Sequence, residues 1–466
     1  MNNGLNTLTI KESLDGLKSK KYSSAELTKA CLDQIEKHNS SINAFITVNK
    51  SAIDDAKKAD ESRANGSNSS LLGIPIALKD MYLTKGLKTT AASNVLRNYI
   101  PQYDAAVVRK LKDAGAVILG KLNHDAWAHG GSGDNSDFGP TKNPWNREYV
   151  PGGSSSGSAA AVASNMTIAA SGTDTGGSIR QPASFTNTVG LKPTYGLVSR
   201  YGIIAMASSL DSIGHFTKTV VDSAIYLNIT AGNDPMDATS TKNDIPNYLE
   251  GIGNGVNGVK LGIPKEYFST GLDSKIKENV EGVIKKYQEL GAEIVEISLP
   301  HTEYGLASYY IIQPAEVSSN LARYDGIRYG NDRSLFGDEA IRRIILGTFT
   351  LSSGYYDAYY KKAMQVRTLI RRDFDEAFKN VDAIISPVSP TLPWKIGEKV
   401  NDPLKMYLSD VYTVIANLAG IPGLAVPSGF IGDLPTGFQI LGPQFSEKLL
   451  FRIGYAFEQT HERKIL

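Results

Sequence analysis

The sequence predicts an α/β fold. Patterns with helical spacing alternate with short apolar runs. A helical pattern over residues 104–114 leads into the run 116–120, and the runs 259–263 and 293–297 flank a helical pattern over 274–290. This alternation of helices and strands is typical of α/β proteins.

The other elements follow from the same periodicities. Residues 1–62 have helical spacing, and Ser23 and Ser24 can cap a helix there. A short apolar run over residues 74–78 ends at Lys79, as a buried strand would. Further along we expect a long amphipathic helix over residues 355–379, a strand over 383–385 and a last helix over 446–460.

Length and composition favour one large domain over residues 1–466. Apolar residues make up 41% and charged residues 21% of the 466, which is ordinary globular usage. No polar segment is long enough to be an interdomain linker. Glycine is in excess at 44 residues, so the positions of the glycines are informative.

Charge and cysteine content exclude several function classes. Lys plus Arg is 49 and Asp plus Glu is 48, a net charge of +1 that draws the chain neither to nucleic acid nor to anionic lipid. The single cysteine, Cys31, excludes intrachain disulfides and multi-cysteine metal sites, and we expect no metal. No apolar run approaches the roughly 18 residues of a membrane helix, and no signal pattern opens the chain, so we expect a cytoplasmic protein with no membrane contact.

A Gly/Ser loop opens a helix in the middle of the chain. Residues 151–158 run directly into the strong helix former 159–163. Free backbone N–H groups and the positive end of the helix dipole make such a loop suitable for an anion or a developing oxyanion. The alternative is a flexible linker.

A second loop, over residues 173–182, presents a candidate nucleophile. Gly176 and Gly177 allow close approach of the backbone to a ligand, and Ser178 follows them with consecutive N–H groups nearby. This pattern suits a serine nucleophile with an oxyanion hole. The alternative is an ordinary turn in which Ser178 caps the next helix.

A serine nucleophile needs a base, and Lys79 is the best candidate. None of the six histidines has a spacing that points to either loop. Lys79 ends an apolar run, and loss of hydration there would favour the neutral amine that can accept a proton. The alternative is a surface lysine paired with Asp80.

Two further motifs carry little weight. Residues 153–157 fit the nucleophile-elbow pattern with Ser155 as nucleophile, but residues 145–151 are a poor strand and the elbow needs one. Residues 253–258 fit a dinucleotide-binding pattern, but a strand-like run follows them instead of a helix.

Together the loops resemble the signature of the amidase signature family. The match runs over about residues 73–216, with weaker similarity over nearly the whole chain. The resemblance implies a central mixed β-sheet covered by helices on both faces. It also implies a catalytic triad, in which Ser178 is the nucleophile, Ser154 relays the proton after a cis peptide from Gly153, and Lys79 is the base. The backbone N–H groups of Thr175, Gly176 and Gly177 would bind the oxyanion, and Ser155 and Arg180 would support the site.

The C-terminal part, about residues 300–466, resembles the glutamine-hydrolysing branch of that family. The passages 314–326, 342–348, 352–360 and 406–410 carry this resemblance. It implies that Tyr309, Arg343 and Asp410 bind the backbone of free glutamine. Arg343 can bind the α-carboxylate through two hydrogen bonds, and Asp410 can pair with the α-ammonium. Taken alone, Arg343 would be a helix-surface charge and Asp410 a solvated one.

The resemblance also implies partners. Ammonia from glutamine would pass to subunits B and C of a heterotrimeric amidotransferase, which converts Glu-tRNA(Gln) to Gln-tRNA(Gln). ATP and Mg²⁺ would bind at the partner, which would also make most contacts with tRNA, and this chain would hold no cofactor. The rival functions are a stand-alone amidase for small aryl or aliphatic amides and a catalytically silent scaffold.

Three positions depart from the family pattern. The segment 331–335 is shorter than its counterpart, Gly131 stands where a serine is usual, and Ala126 stands where an acidic residue is usual. None of them removes a residue of the implied triad.

Overall fold

The structure, a computed structural model, describes residues 4–268, 271–327, 330–400, 402–462 and 464–466. Within these ranges eleven strands form one sheet. The strands are β1 (Phe45–Val48), β2 (Pro75–Lys79), β3 (Val117–Leu122), β4 (Ala169–Asp174), β5 (Val189–Lys192), β6 (Ser212–Thr217), β7 (Lys260–Pro264), β8 (Glu293–Ile297), β9 (Ala383–Pro387), β10 (Gly423–Ile431) and β11 (Leu434–Leu441).

The sheet is mixed, and its strand order is β1-β3-β2-β4-β6-β5-β10-β11-β9-β7-β8. Strand β2 pairs in parallel with both β3 and β4, and β7 pairs in parallel with β8 and β9. The other pairings are antiparallel. The predicted α/β class with a mixed sheet is confirmed.

Helices pack around this sheet. They are α1 (Ile10–Lys18), α2 (Ser24–Ile42), α3 (Ala52–Ala64), α4 (Ala106–Asp113), α5 (Ser156–Ala163), α6 (Arg180–Thr186), α7 (Val220–Thr230), α8 (Ser274–Glu289), α9 (Gly305–Leu321), α10 (Asp338–Thr350), α11 (Lys362–Ala377), α12 (Pro403–Leu408), α13 (Val414–Ala419) and α14 (Glu447–Glu458). A π-helical segment (Tyr356–Lys361) leads into α11.

Most predicted elements agree with the structure to within a few residues. Helix α2 begins at a capping box, in which the Ser23 hydroxyl accepts from the Glu26 N–H and the Glu26 carboxylate accepts from the Ser23 N–H. The expectation that residues 1–62 are helical throughout is wrong, because β1 lies within them. This strand pairs with β3, a contact between distant parts of the chain that local periodicity does not reveal.

The centre of the sheet determines where the site lies. Every residue of β2, β3 and β4 is buried. Lys79 ends β2 and Asp174 ends β4, and the two strands run in the same direction side by side. Their carboxyl ends therefore reach the same edge of the sheet, where the two Gly/Ser-rich loops meet.

Candidate active site

Lys79 lies at the centre of a cluster of hydroxyl groups. Its Nζ is 2.9 Å from Ser154 Oγ, 2.9 Å from Ser155 Oγ and 2.7 Å from Thr173 Oγ1. A neutral amine has two N–H donors and one lone pair, so three hydroxyl partners satisfy it when one of them donates. The cluster thus suits an amine that accepts a proton.

Burial determines the protonation of Lys79. The side chain is completely buried, and burial lowers its pKa to about 7 although the carboxylates of Asp125 and Asp174 oppose this shift. The alternative of a surface lysine paired with Asp80 is wrong. Asp80 instead lies 3.4 Å from the buried Nζ of Lys121.

The first Gly/Ser loop brings Ser154 and Ser155 to Lys79. The peptide between Gly153 and Ser154 is cis, as the resemblance implies. The Ser154 carbonyl accepts from the Asp125 N–H at 3.1 Å, and the Ser155 N–H donates to the Ser178 carbonyl at 3.2 Å. The first loop is thus tied to the second, and it opens α5 as predicted instead of forming a linker. No strand precedes it directly, so it is not a nucleophile elbow.

Asp174 and Arg180 hold the second loop. The Asp174 carboxylate accepts from the Gly177 N–H at 2.8 Å and the Ile179 N–H at 3.1 Å, and it binds the Arg180 guanidinium at 3.0 Å. Burial would raise the pKa of Asp174, but the charge and hydrogen bonds of Arg180, the charge of Lys192 and the Ile179 N–H together outweigh it and lower that pKa to about 2. This permanent charge fixes the backbone on both sides of Ser178.

Ser178 lies within this fixed loop and is only 9% exposed. It does not cap the next helix, because α6 has Ile179 at its N-terminal cap and no side-chain hydrogen bond there. The alternative of Ser178 as a helix cap is therefore wrong. The Ser178 carbonyl accepts from the Ser155 N–H, and the Ser178 hydroxyl makes no capping hydrogen bond.

The two glycines before Ser178 are required by close packing. A Cβ at Gly176 would lie 2.6 Å from the hydroxyl of Tyr309. A Cβ at Gly177 would lie 2.3 Å from Thr413 Oγ1, and Gly177 has a φ of +130°. Thr413 also donates to the Gly176 carbonyl at 2.6 Å. Tyr309 and Thr413 thus cover the loop directly.

Arg343 is buried, contrary to its interpretation as a helix-surface charge. It is 3% exposed, and its guanidinium donates to Glu339 Oε1 at 2.8 Å and to Gln313 Oε1 at 2.5 Å. Burial would lower its pKa, but the Glu339 carboxylate and the neighbouring tyrosines together outweigh this effect and raise it. Arg343 lines a cavity of about 360 Å³ together with Tyr310, Tyr407 and other residues.

Asp410 is also buried, contrary to its interpretation as a solvated charge. Its Oδ2 accepts from the Tyr310 hydroxyl at 2.7 Å. Burial raises the pKa of Asp410 to about 7, against the effects of Tyr310 and Arg343. Arg343 lies 5.5 Å from the centre of the Tyr310 ring, so this tyrosine stands between the cation and the anion.

The structure therefore brings the predicted residues to two adjoining places. Lys79, Ser154, Ser155 and Ser178 meet at the loops, and Arg343 and Asp410 flank Tyr310. Tyr309 lies against the Ser178 loop. Sequence reasoning missed Tyr310, Gln313 and Asp174. The signal for Asp174 is its position at the strand end directly before the glycines.

The positions that depart from the family pattern leave this arrangement intact. The shortened segment includes a short 3-10 turn, Arg333–Leu335, and Asn331 Nδ2 donates to the Asn94 carbonyl at 3.0 Å. Helix α10 still packs along α9, which explains how Arg343 reaches Gln313. A Cβ at Gly131 would be 3.5 Å from Asp410 Oδ1, so the glycine leaves space beside that carboxylate.

Metal clusters and membrane-spanning helices are both absent from the described ranges. No group of three or more His, Cys, Asp or Glu side chains there is placed to hold a metal ion. Among the helices in the same ranges, none combines the length and apolar character that crossing a membrane requires.

The chain is similar to known proteins over nearly its whole length. The family model described as Amidase matches residues 26–451. The A subunit of glutamyl-tRNA(Gln) amidotransferase from Geobacter metallireducens is 54% identical over 470 residues, which cover 97% of this chain and 97% of that protein. The protein of the same name from Thermoanaerobacter pseudethanolicus is 52% identical over 98% and 97% of the two chains.

Solved structures have the same fold. The crystal structure of the A subunit of glutamyl-tRNA(Gln) amidotransferase from Thermotoga maritima has a TM-score of 0.86 at 44% identity, covering 99% of this chain and 97% of that one. A peptide amidase from Stenotrophomonas maltophilia has a TM-score of 0.85 at 30% identity, with 98% of each chain covered. The fold is therefore common to enzymes named for different amides. The sequence identity to the Thermotoga protein is higher than that to the peptide amidase.

Proposed function

The chain belongs to the amidase signature family, and we propose that it is the glutamine-hydrolysing subunit of a tRNA-dependent amidotransferase. The reaction is acyl transfer from an amide to a serine and then to water. Ser178 is the nucleophile, Ser154 relays the proton and Lys79 is the base. The observation that carries this proposal is the completely buried Lys79 Nζ, 2.9 Å from Ser154 Oγ.

In the first half-reaction Ser178 Oγ attacks the side-chain amide carbon of glutamine. Its proton passes to Ser154 Oγ as the Ser154 proton passes to the neutral Lys79 amine. The tetrahedral intermediate then collapses, and the Lys79 ammonium returns its proton through Ser154 to the departing nitrogen. Ammonia leaves and a glutamyl ester remains on Ser178. A water molecule attacks the ester by the same proton route and releases glutamate.

Backbone N–H groups of the Ser178 loop stabilise the oxyanion. The family resemblance implies Gly177 as one of the donors, but the Gly177 N–H already donates to Asp174 at 2.8 Å. We therefore assign the role to Thr175, Gly176 and Ser178. Asp174, Arg180 and Ser155 hold these donors in place, so that little reorganisation is needed when charge develops. Tyr309 and Thr413 pack directly against Gly176 and Gly177.

The adjoining cavity selects glutamine. Arg343 binds its α-carboxylate and Asp410 its α-ammonium, with Tyr310 orienting the Asp410 carboxylate. The bound ammonium favours the ionised form of Asp410 and so offsets the effect of burial on its pKa. These residues lie in the part of the chain from about 300 to 466, which we propose as the recognition part.

The partners follow from this role. We propose that subunits B and C complete a heterotrimer in the cytoplasm and that ammonia passes to the partner. We also propose that the partner binds ATP and Mg²⁺ and makes most of the contacts with tRNA. The net charge of +1 supports this division, since a chain that bound tRNA by itself would be basic.

Ammonia release by the co-expressed complex tests the proposal. The substitution Ser178→Ala should abolish the release of ammonia from glutamine. Replacing Arg343→Ala should raise the KM for glutamine by about a hundredfold, the loss of one charge-assisted bidentate contact, while leaving reaction with butyramide unchanged. Equal effects of Arg343→Ala on both substrates would favour a stand-alone amidase. Unchanged release by Ser178→Ala would contradict the mechanism.

A further inference from the structure

A buried histidine lines the cavity that contains Arg343, and the mechanism above does not use it. His129 is completely buried, and neither of its ring nitrogens has a hydrogen-bond partner among the residues that the structure describes. An imidazole carries at least one N–H donor, and buried polar groups in folded proteins are nearly always paired. His129 therefore indicates a partner that binds in the cavity.

The main chain around His129 is firmly held. Its N–H donates to the Ala126 carbonyl at 3.0 Å, and its carbonyl accepts from Asn135 Nδ2 at 2.6 Å. The Asp125 carboxylate accepts from the N–H groups of Gly133 and Asn135, each at 3.0 Å. Asp125 thus closes the loop that follows His129, and the imidazole keeps its place beside the cavity.

The ring is neutral at physiological pH. Burial lowers the pKa of His129 well below its ordinary value, and the nearby positive charge of Arg343 lowers it further. A neutral imidazole has one donor and one acceptor. The charged residues that line the same cavity are Arg342, Arg343 and Lys399 on the positive side and Asp134, Asp338 and Glu339 on the negative side.

The position of the ring selects which group of the ligand it contacts. His129 and Arg343 line the same cavity, and the positive charge of Arg343 attracts a carboxylate and repels an ammonium. The ammonium site lies instead at Asp410, beside Gly131, where the missing side chain leaves space. Within the proposed glutamine cavity, an N–H donor near Arg343 is therefore placed for the α-carboxylate.

We propose that His129 is a further substrate-binding residue, whose ring N–H donates to the glutamine α-carboxylate that Arg343 also binds. This inference rests on the proposed function. Together the two residues supply donors from two elements, the loop before α5 and helix α10. Amides that lack the carboxylate gain nothing from His129, so the residue contributes to selection of glutamine.

The test compares glutamine with 4-aminobutyramide, which is glutamine without its α-carboxylate. In the co-expressed complex, His129→Leu should raise the KM for glutamine about tenfold, the loss of one hydrogen bond to a charged group, with kcat within about twofold. The kcat/KM for 4-aminobutyramide should stay the same. His129→Asn or His129→Gln should restore part of the affinity, because each amide retains an N–H donor.

A second buried histidine provides the matched control. The Nε2 atom of His215, in β6, is hydrogen-bonded to the Ser223 hydroxyl at 2.7 Å, and the ring packs on that of Tyr226. His215 is not among the residues that line the cavity. His215→Leu should alter thermal stability and leave the KM for glutamine unchanged. An unchanged glutamine KM in His129→Leu, or equal loss with both substrates, would overturn the inference.

A direct measurement covers the case in which His129→Leu fails to fold. In the Ser178→Ala complex labelled with ¹⁵N-histidine, glutamine should shift the ring resonances of His129 and 4-aminobutyramide should not. No shift with bound glutamine would overturn the inference about His129 alone. Failure of the unaltered complex to hydrolyse glutamine would instead overturn the proposed function.

Discussion

Lys79 Nζ and Ser154 Oγ lie 2.9 Å apart, and both side chains are completely buried. The contact joins the end of a central strand to a loop 75 residues away in sequence. Because water is excluded, the amine depends on hydroxyl partners for its hydrogen bonds, and the neutral form is favoured. A lysine placed in this way can act as a base near neutral pH.

Replacing the base should remove most of the activity. Lys79→Met keeps the apolar stem and loses the amine, so ammonia release from glutamine should fall by at least about a hundredfold, the usual contribution of a general base. The KM should change little, since Lys79 does not contact the α-substituents of glutamine. Lys110→Met is the control, because Lys110 donates to the carbonyls of Thr230 and Ala231 far from the loops. Comparable activity of the two variants would contradict the role of Lys79.

The pH profile should depend on two groups. Burial sets the pKa of Lys79 to about 7 and that of Asp410 to about 7, and each group is active in its deprotonated form. Activity should therefore rise with pH through 7. The logarithm of kcat/KM should rise with a slope of about two for glutamine and about one for butyramide, because kcat/KM reports ionisations of the free enzyme. Asp410→Asn should reduce the glutamine slope to that for butyramide; a slope that stays the same would exclude Asp410 from recognition.

The hydroxyl of Tyr310 should act through Asp410. Its hydrogen bond favours the carboxylate, so Tyr310→Phe should raise the pKa of Asp410. At pH 7 the KM for glutamine should increase about fivefold, roughly the value of one hydrogen bond, and the increase should shrink at pH 9, where Asp410 ionises in both proteins. Tyr360→Phe, which alters a ring stacked on Tyr356, serves as the control. An increase that is the same at both pH values would show that the hydroxyl does not act through ionisation.

Two glycine substitutions should have opposite effects on stability. Gly177→Ala forces a Cβ to within 2.3 Å of Thr413 Oγ1 at a φ of +130°, so the free energy of unfolding should fall by about 2 kcal/mol or more. Gly282→Ala in helix α8 meets nothing within 4 Å and should raise it by about 0.5–1 kcal/mol. Urea denaturation of both variants measures the difference. Equal midpoints would mean that the Ser178 loop is less constrained than its packing indicates.

Local periodicity predicted the fold class, and local patterns pointed to Lys79 and Ser178, because strand ends and glycine-rich loops are local features. The other loop residues were expected only from the family resemblance. The sequence did not indicate that Tyr310, which follows the expected Tyr309, also reaches the site. Adjacent residues on a helix point about 100° apart, so one of them lies against Gly176 and the other against Asp410. Which tyrosine takes which position depends on how α9 packs, and no local pattern contains that information.

Burial was the other property that the sequence left open. Lys79 lies at the end of one apolar run and Lys121 lies within another. Only the folded chain shows that Lys121 pairs with Asp80, whereas Lys79 contacts hydroxyl groups. Arg343 and Asp410 were likewise expected to be exposed, because the sequence does not show which residues pack against them. Their partners Gln313 and Tyr310 come from another helix, which pairs with them only in the folded chain.

The role of Ser178 as the nucleophile for glutamine is tested most directly by peptide mass spectrometry of the co-expressed complex after exposure to a glutamine-mimicking electrophile. A covalent adduct is expected on the peptide that contains Ser178. We also expect no adduct in Ser178→Ala, weaker labelling in Arg343→Ala, and protection by excess glutamine. Labelling by an aryl-amide electrophile alone would keep the triad but contradict glutamine as the substrate. An adduct on another serine, or none at all in the intact complex, would contradict Ser178 as the nucleophile.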